Sequence, residues 1–335
     1  MTSFGIYGLL AVSRVLFQIL VSGLERAKVY SRKKHPMATL IVPVFNESVE
    51  LLEPAFESFA KQQYKPLEII VVDDGSDNAK EVEELAKRHN FQYIYQENAG
   101  KREAMYTAFQ HMSKDSEIVF TADSDTIWDK HAAQYLADVL LDNPKTGAVT
   151  GEVAVLNKKD NLLTRLIDIR YHIAFAHERA SQSFFGNVTC ISGPLGAYRR
   201  DVIDTIKDSF ISQTFWGEKC TYGDDRHLTN LVLEQGLKVR YANKAICWTS
   251  APRELRTLVK QQTRWSKSYW REIIWQTRVL GKHGLFIKYD WFISAVLPFV
   301  LLGSVLNHLI SDRHFAATIF VLVETIIIMS SIRVV

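Results

Sequence analysis

The chain has 335 residues and a formal net charge of +3, with 47% hydrophobic and 23% charged residues. That length accommodates one domain of more than about 200 residues plus further segments, and the small net charge argues against a nucleic-acid partner. The three cysteines, Cys190, Cys220 and Cys247, form no CxxC pair and no zinc-type spacing, so they are expected as reduced, mostly buried thiols in a cytosolic compartment.

The hydrophobic residues collect at the two ends. Phe4 to Leu24 is an apolar run of the ~20 residues that cross a bilayer, interrupted by Arg14 and Gln18. Glu25, Arg26, Lys28, Arg32, Lys33 and Lys34 follow it, and such a basic cluster marks the cytoplasmic side of a membrane helix. The charges follow the apolar run and no Ala-x-Ala site closes it, so a retained anchor is expected in place of a cleaved signal peptide. Arg14 is expected near an interface, with its head group snorkelling to water.

Strands and helices then alternate. Ala38 to Val44 and Leu67 to Val72 are short β-branched runs with a helical pattern, Val49 to Gln62, between them; Phe91 to Gln96 and Glu117 to Ala122 continue the series. This spacing predicts parallel pairing in an α/β domain whose ligands bind beyond the carboxyl ends of the strands. Acidic motifs stand at those ends. Asp73-Asp74-Gly75-Ser76-Asp77 closes the second strand, and it reads either as an ordinary solvated turn or as an acceptor for a base NH or ribose hydroxyl. Asp123-Ser124-Asp125 closes the fourth strand, where two carboxylates on one side suit Mg²⁺ or Mn²⁺, ions that take one or two carboxylates plus phosphate oxygens.

Leu162 to Ala180 and Leu255 to Leu280 carry helical apolar spacing with Arg, His and Trp interleaved, as interfacial helices on a membrane surface do. His172, His177 and His227 have no metal-ligand spacing and are read as structural. Near the end, Trp291 to Ile310 and Phe315 to Ile332 form two more apolar runs around a turn at Ser311 to His314, which predicts a transmembrane hairpin; Glu324 inside the last run must face protein or water.

The strings VVDDGSDN, TADSDT, SGPLGAYR, YGDDRHLTN and QQTRWSKSYWRE follow the order and spacing of the inverting family 2 glycosyltransferases, and their fuller forms resemble the hyaluronan synthases most, with chitin and cellulose synthases as relatives. The resemblance spans about residues 37 to 310. It implies an α/β fold of the GT-A type with flanking transmembrane and interfacial helices. Residues 1–35 would form an anchor with its basic flank, 36–250 a cytoplasmic catalytic domain, 251–285 the QxxRW segment, and 286–335 a membrane hairpin. It implies a multi-pass plasma-membrane protein that elongates hyaluronan from UDP-GlcNAc and UDP-glucuronate with Mg²⁺ or Mn²⁺.

Carried over residue by residue, the resemblance puts uridine on Asp73 and Asp74, with Lys101 and Arg102 near the nucleotide or its sugar. It puts the diphosphate at Asp123 and Asp125, with Asp125 the first metal ligand. Asp225 becomes the general base. Gln261 and Arg264 close the donor side, while Gly193, Pro194, Leu195 and Trp265 shape the acceptor side. Glucuronate calls for a cation, and Lys101, Arg102, Arg199, Arg226 and Lys267 are all candidates. Two other readings stand beside this one: a synthase of a single-sugar β-glycan such as a chitin oligosaccharide, and a non-catalytic membrane scaffold. The related synthases carry further membrane helices and a gating segment after QxxRW, with no counterpart here before Val335. The chain is therefore expected to be either a fragment or a short form that associates with itself or another subunit.

Overall fold

In a computed structural model, which describes residues 3–31 and 34–310, the strands are β1 (Ala38–Val44), β2 (Leu67–Asp73), β3 (Gln92–Tyr95), β4 (Ile118–Thr121), β5 (Ile127–Trp128), β6 (Thr146–Val155), β7 (Gly196–Arg199), β8 (Thr214–Phe215), β9 (Glu218–Lys219) and β10 (Lys238–Thr249). Eight of them form one sheet in the order β3-β2-β1-β4-β7-β6-β10-β5. The β1, β2, β3 and β4 pairings are parallel, as the alternating pattern predicts, and β10 is parallel to β6. The centre departs from that pattern. Strand β7 runs antiparallel to both β4 and β6, so the loop before it, Ser192 to Leu195, emerges at the same edge as the carboxyl ends of its neighbours.

Strands β1 and β4 are apolar on both faces because helices cover both, which is why they read as continuous β-branched runs instead of alternating ones. The helices are α1 (Ser3–Arg26), α2 (Val49–Ala60), α3 (Ala79–Arg88), α4 (Lys101–His111), α5 (Ala132–Asp142), α6 (Leu162–Ile173), α7 (Ala180–Phe184), α8 (Arg200–Ile211), α9 (Asp224–Glu234), α10 (Leu255–Trp275) and α11 (Leu285–Ile310). The core packs Phe56 and Phe59 of α2, Phe109 of α4 and Phe210 of α8 with Leu40, Ile41, Ile70 and Phe120 of the sheet. Cys190, Cys220 and Cys247 are free and buried, as expected from their spacing.

Helices α1 and α11 contain segments, Tyr7–Arg26 and Leu285–Leu306, that are long and apolar enough to cross a membrane. They pack together through Tyr7, Ile293, Leu297 and Leu301, while Leu9, Leu16, Leu20, Phe292, Phe299 and Leu302 stay exposed. The predicted second half of the hairpin, Phe315 to Ile332 with Glu324, lies outside the described residues.

Arg14 corrects the snorkelling expectation. It is buried and pairs with Asp290 of α11 at 2.9 Å and with Glu178 at 3.2 Å, and it donates to the Ser294 hydroxyl at 3.2 Å. Two carboxylates inside the protein hold the guanidinium more effectively than a distant water layer would.

The stretch predicted as one interfacial helix over 162–180 is also broken. α6 is followed by a π-helical turn, Ala174–Arg179, before α7. The wider turn directs Glu178 toward α1 while Phe175 and Arg179 face the other way, into the cavity described below. On α6, Leu162, Leu166, Ile169 and Ile173 recur at helical spacing on one exposed face, and Leu255 and Val259 of α10 are exposed as well.

Candidate functional site

A cavity of about 350 Å³ opens at the carboxyl edge of the sheet, and segments distant in sequence build its walls. Asp123 and Asp125 come from the turn after β4, and Ser192, Gly193 and Pro194 from the loop before β7. Asp224, Asp225 and Arg226 come from the first turn of α9, while Gln261, Arg264 and Trp265 come from α10. Each arrives there for a local reason. The Trp128 indole donates to the Pro194 carbonyl at 2.8 Å, which fixes the Ser-Gly-Pro loop. The Thr229 hydroxyl donates to the Asp225 carbonyl at 2.7 Å and accepts from the Ile191 amide at 2.9 Å, tying α9 to the loop beside Cys190.

Gly223 shows why a glycine precedes the two acids. It caps α9 with φ +78°, and a Cβ there would lie 1.9 Å from the Ser268 Oγ of α10. The backbone of the acidic turn therefore packs directly on the helix that carries Arg264 and Trp265.

The electrostatics of the cavity are dominated by carboxylates. The Lys101 ammonium pairs with Asp123 and lies 3.7 Å from Asp224. Desolvation alone would lower its pKa, but Asp123 and then Asp224 more than offset this and raise it. The Asp125 carboxyl is raised above its usual range by burial and then by the neighbouring Asp123 charge. Asp225 is raised likewise, by burial first and Asp224 second; its Oδ1 accepts from the Arg226 amide at 2.7 Å and its Oδ2 lies 3.8 Å from the Cys190 thiol. Buried, mutually repelling carboxylates are a donor set that a hard cation would relieve. Among the described residues no three His, Cys, Asp or Glu side chains converge on one point. A divalent ion held by Asp123 and Asp125 would therefore complete its shell with phosphate oxygens and water, as Mg²⁺ and Mn²⁺ do.

Some expected residues stand elsewhere. Asp73, the last residue of β2, and Asp74 after it are buried and do not line the cavity. Asp73 accepts from the Ser76 amide and the Tyr93 hydroxyl, and Asp74 accepts from Gln96, Ala99 and Gly100. Arg102 does not line the cavity: it points to the α8–α9 side, donating to the carbonyls of Phe210 and Tyr222. Leu195 is fully buried in the core against Gly151 and lines no cavity wall, so only Gly193 and Pro194 of that trio reach the space.

Other residues escaped the sequence reading. Tyr171, Phe175 and Arg179 form one wall from the π-helical turn and the end of α6. Glu47, in the turn after β1, is close enough to Asp125 and Asp123 that their charges add to burial in raising its pKa. A polar Asn46-Glu47 pair two residues beyond a β-branched strand, at the same sheet edge, is the signal that could have found it.

The family profile described as "Glycosyltransferase like family 2" matches residues 35–268. The chain is 33% identical over 363 residues to Hyaluronan synthase 3 of Xenopus laevis, covering 96% of this chain and 65% of that protein. It is 31% identical over 367 residues to Hyaluronan synthase 2 of Homo sapiens, covering 96% and 66% respectively. The chain thus spans a little under two thirds of the length of these relatives. Among solved structures, the mannosyltransferase PcManGT from Pyrobaculum calidifontis, in complex with GDP-Man and Mn²⁺, superposes with a TM-score of 0.64 at 19% identity over 98% of this chain and 93% of that one. This likeness concerns the fold, which is the GT-A type expected from the motifs.

Proposed function

Because the chain belongs to glycosyltransferase family 2, we propose that it is a membrane-embedded inverting glycosyltransferase that extends hyaluronan from UDP-GlcNAc and UDP-glucuronate. The observation that carries this reading is the single cavity shared by Asp123, Asp125, Asp225, Arg264 and Trp265. The likeness to hyaluronan synthases supports the choice of sugars. The two long apolar helices, with basic residues after the first, support a membrane position with the catalytic domain on the cytoplasmic side.

In this reading Asp123 and Asp125 hold the divalent ion, which the Mn²⁺ of the mannosyltransferase complex supports, and Arg264 reaches over the donor diphosphate. The ion supplies charge neutralisation for the leaving diphosphate. Lys101, already beside Asp123, adds a second positive charge on the same side. Asp225 takes the proton from the acceptor hydroxyl, and burial, then its neighbour Asp224, keeps that carboxyl more basic. Trp265, half-buried at the cavity wall, offers an indole face to the acceptor sugar. With Asp225 as the base and the other cavity carboxylates assigned to the ion and to Asp225's basicity, none acts as nucleophile, and the reaction is a single displacement with inversion.

The test is UDP release by the detergent-solubilised chain with Mn²⁺ and with Mg²⁺, given UDP-GlcNAc alone, UDP-glucuronate alone, or both. Release that needs both donors, with a hyaluronidase-sensitive product, is expected. Equal turnover on one donor would replace the reading with a single-sugar synthase, and silence on every donor would favour a scaffold.

Two substitutions probe the donor side. Arg264→Ala is expected to lower kcat about 10²-fold, because it removes a preorganised cation from developing charge, and Arg264→Lys should recover only part of that. A Cβ at Gly193 would stand 3.1 Å from Asp123 Oδ1 and 3.4 Å from Lys101 Nζ. Gly193→Ala should therefore displace this pair and lower kcat roughly tenfold with little change in Tm, since small misplacements of charged groups are costly in catalysis. Unaltered kinetics in Gly193→Ala would remove Asp123 from the donor side.

A further inference from the structure

Five cations were candidates to meet a glucuronate carboxylate, and the fold disqualifies most of them. Arg102 is tied to backbone carbonyls, Arg199 pairs with Asp201, Lys101 is held by Asp123 and Asp224, and Lys267 lines no cavity wall. Arg226 remains, and the structure adds a cation absent from that set, Arg179.

Arg179 is only 4% exposed, yet it lines the cavity. Its Nε donates to the Cys190 carbonyl at 3.0 Å and its guanidinium lies 3.9 Å from the centre of the Phe175 ring. Its Nη1 is buried with no hydrogen-bond partner among the described residues. The adjacent carboxylate, Glu178, pairs with Arg14, and among the described residues no carboxylate forms a salt bridge with Arg179. A buried guanidinium with an unmet donor is costly unless something outside the chain completes it. Arg226 also lines the cavity, and its charge, like that of Arg179, acts on the Cys190 thiol. Its guanidinium stands over the Tyr269 ring at 5.2 Å, and among the described residues no carboxylate forms a salt bridge with it.

The location specifies the ligand. Cys190 links this cation to the base: its carbonyl accepts from Arg179, and its thiol lies 3.8 Å from Asp225. The unmet donor therefore stands on the Cys190 wall, beside the base, where the acceptor enters. The rings of Tyr171 and Phe175 line the same wall and suit the apolar faces of a sugar. We infer that Arg179, with Arg226 beside it, forms an anion subsite for the carboxylate of a glucuronate unit in the acceptor chain, and so selects acceptors that carry a uronic acid. The inference rests on the acceptor-side reading of this cavity given under Proposed function.

The experiment measures binding of a tetrasaccharide of alternating glucuronate and N-acetylglucosamine, and of its methyl ester, to the full chain and to Arg179→Gln. The glutamine amide can still donate to the Cys190 carbonyl, so the wall is kept while the charge is lost. A UDP-binding measurement on both proteins reports whether the donor side is intact. The wild-type protein is expected to prefer the acid over the ester by roughly tenfold, the scale of a charge-assisted hydrogen bond, and Arg179→Gln to lose that preference. Equal affinity of the wild type for acid and ester, or a preference that survives in Arg179→Gln, would overturn the subsite and leave the glycan reading standing. A matching loss of UDP affinity in Arg179→Gln would reassign the cation to the donor. If neither oligosaccharide binds the wild type, the acceptor-side reading itself falls.

Discussion

Asp225→Asn is expected to lower kcat for sugar transfer by about 10²- to 10⁴-fold, the range that a positioned general base contributes. The amide keeps the shape of the side chain and can still accept from the Arg226 amide, as the carboxylate does at 2.7 Å. Loss of rate with unchanged UDP affinity and unchanged Tm would thus isolate proton abstraction from folding and donor binding. The pH profile gives a second readout. Burial, then Asp224, raises the Asp225 pKa from its ordinary 3.8. The base is inactive when protonated, so kcat/KM should fall on the acid side at a pH above the usual carboxylate range. Asp224→Asn removes the like charge and should move that limb to lower pH. A rate in Asp225→Asn equal to wild type would assign the base elsewhere.

The sequence makes some of this arrangement legible and hides the rest, for identifiable reasons. Ala38–Val44 and Leu67–Asp73 announce themselves because a strand covered on both faces must be apolar throughout. Asp123 and Asp125 are readable because ligands gather where parallel strands end. Strand β7 is not readable as antiparallel: four residues carry no directional signal, and only pairing with β4 and β6 reveals that the Ser-Gly-Pro loop lies at the ligand edge. Arg102 and Arg179 show the same limit from opposite sides. Both are arginines in helical segments, but one is spent on the Phe210 and Tyr222 carbonyls while a π-helical turn aims the other into the cavity. Residue type gives the available chemistry, whereas backbone path decides which arginine is free to use it.

The path of α10 depends on the last residue of the QQTRWSKSYWRE string, to which the motif reading gave no role, and Glu272→Ala is expected to be the most destabilising change in this region. Glu272 is fully buried between α9 and α10. Its Oε1 accepts from Gln213 at 2.7 Å and Arg271 at 3.0 Å, and its Oε2 accepts from Asn230 at 3.0 Å and meets the His227 ring at 3.2 Å. Truncation leaves these buried groups without their common partner, at a cost on the order of 3–5 kcal/mol, measurable as a fall in the denaturation midpoint. Burial alone would raise the Glu272 pKa, but the hydrogen bond and charge of His227, then Gln213 and Arg271, more than offset it and bring it from 4.5 down to about 2. A depressed folded-state pKa contributes stability that is fully present above about pH 4.5 and is lost as the pH falls toward 2. Glu272→Ala should therefore flatten the acid limb of the stability profile as well as lower its plateau. The chemistry should suffer too, because α9 carries Asp225 and α10 carries Arg264 and Trp265, and Gly223 leaves no space for their contact to adjust. A midpoint and an acid limb both equal to wild type would show that the two helices are held together by the Gly223–Ser268 contact and not by the buried carboxylate.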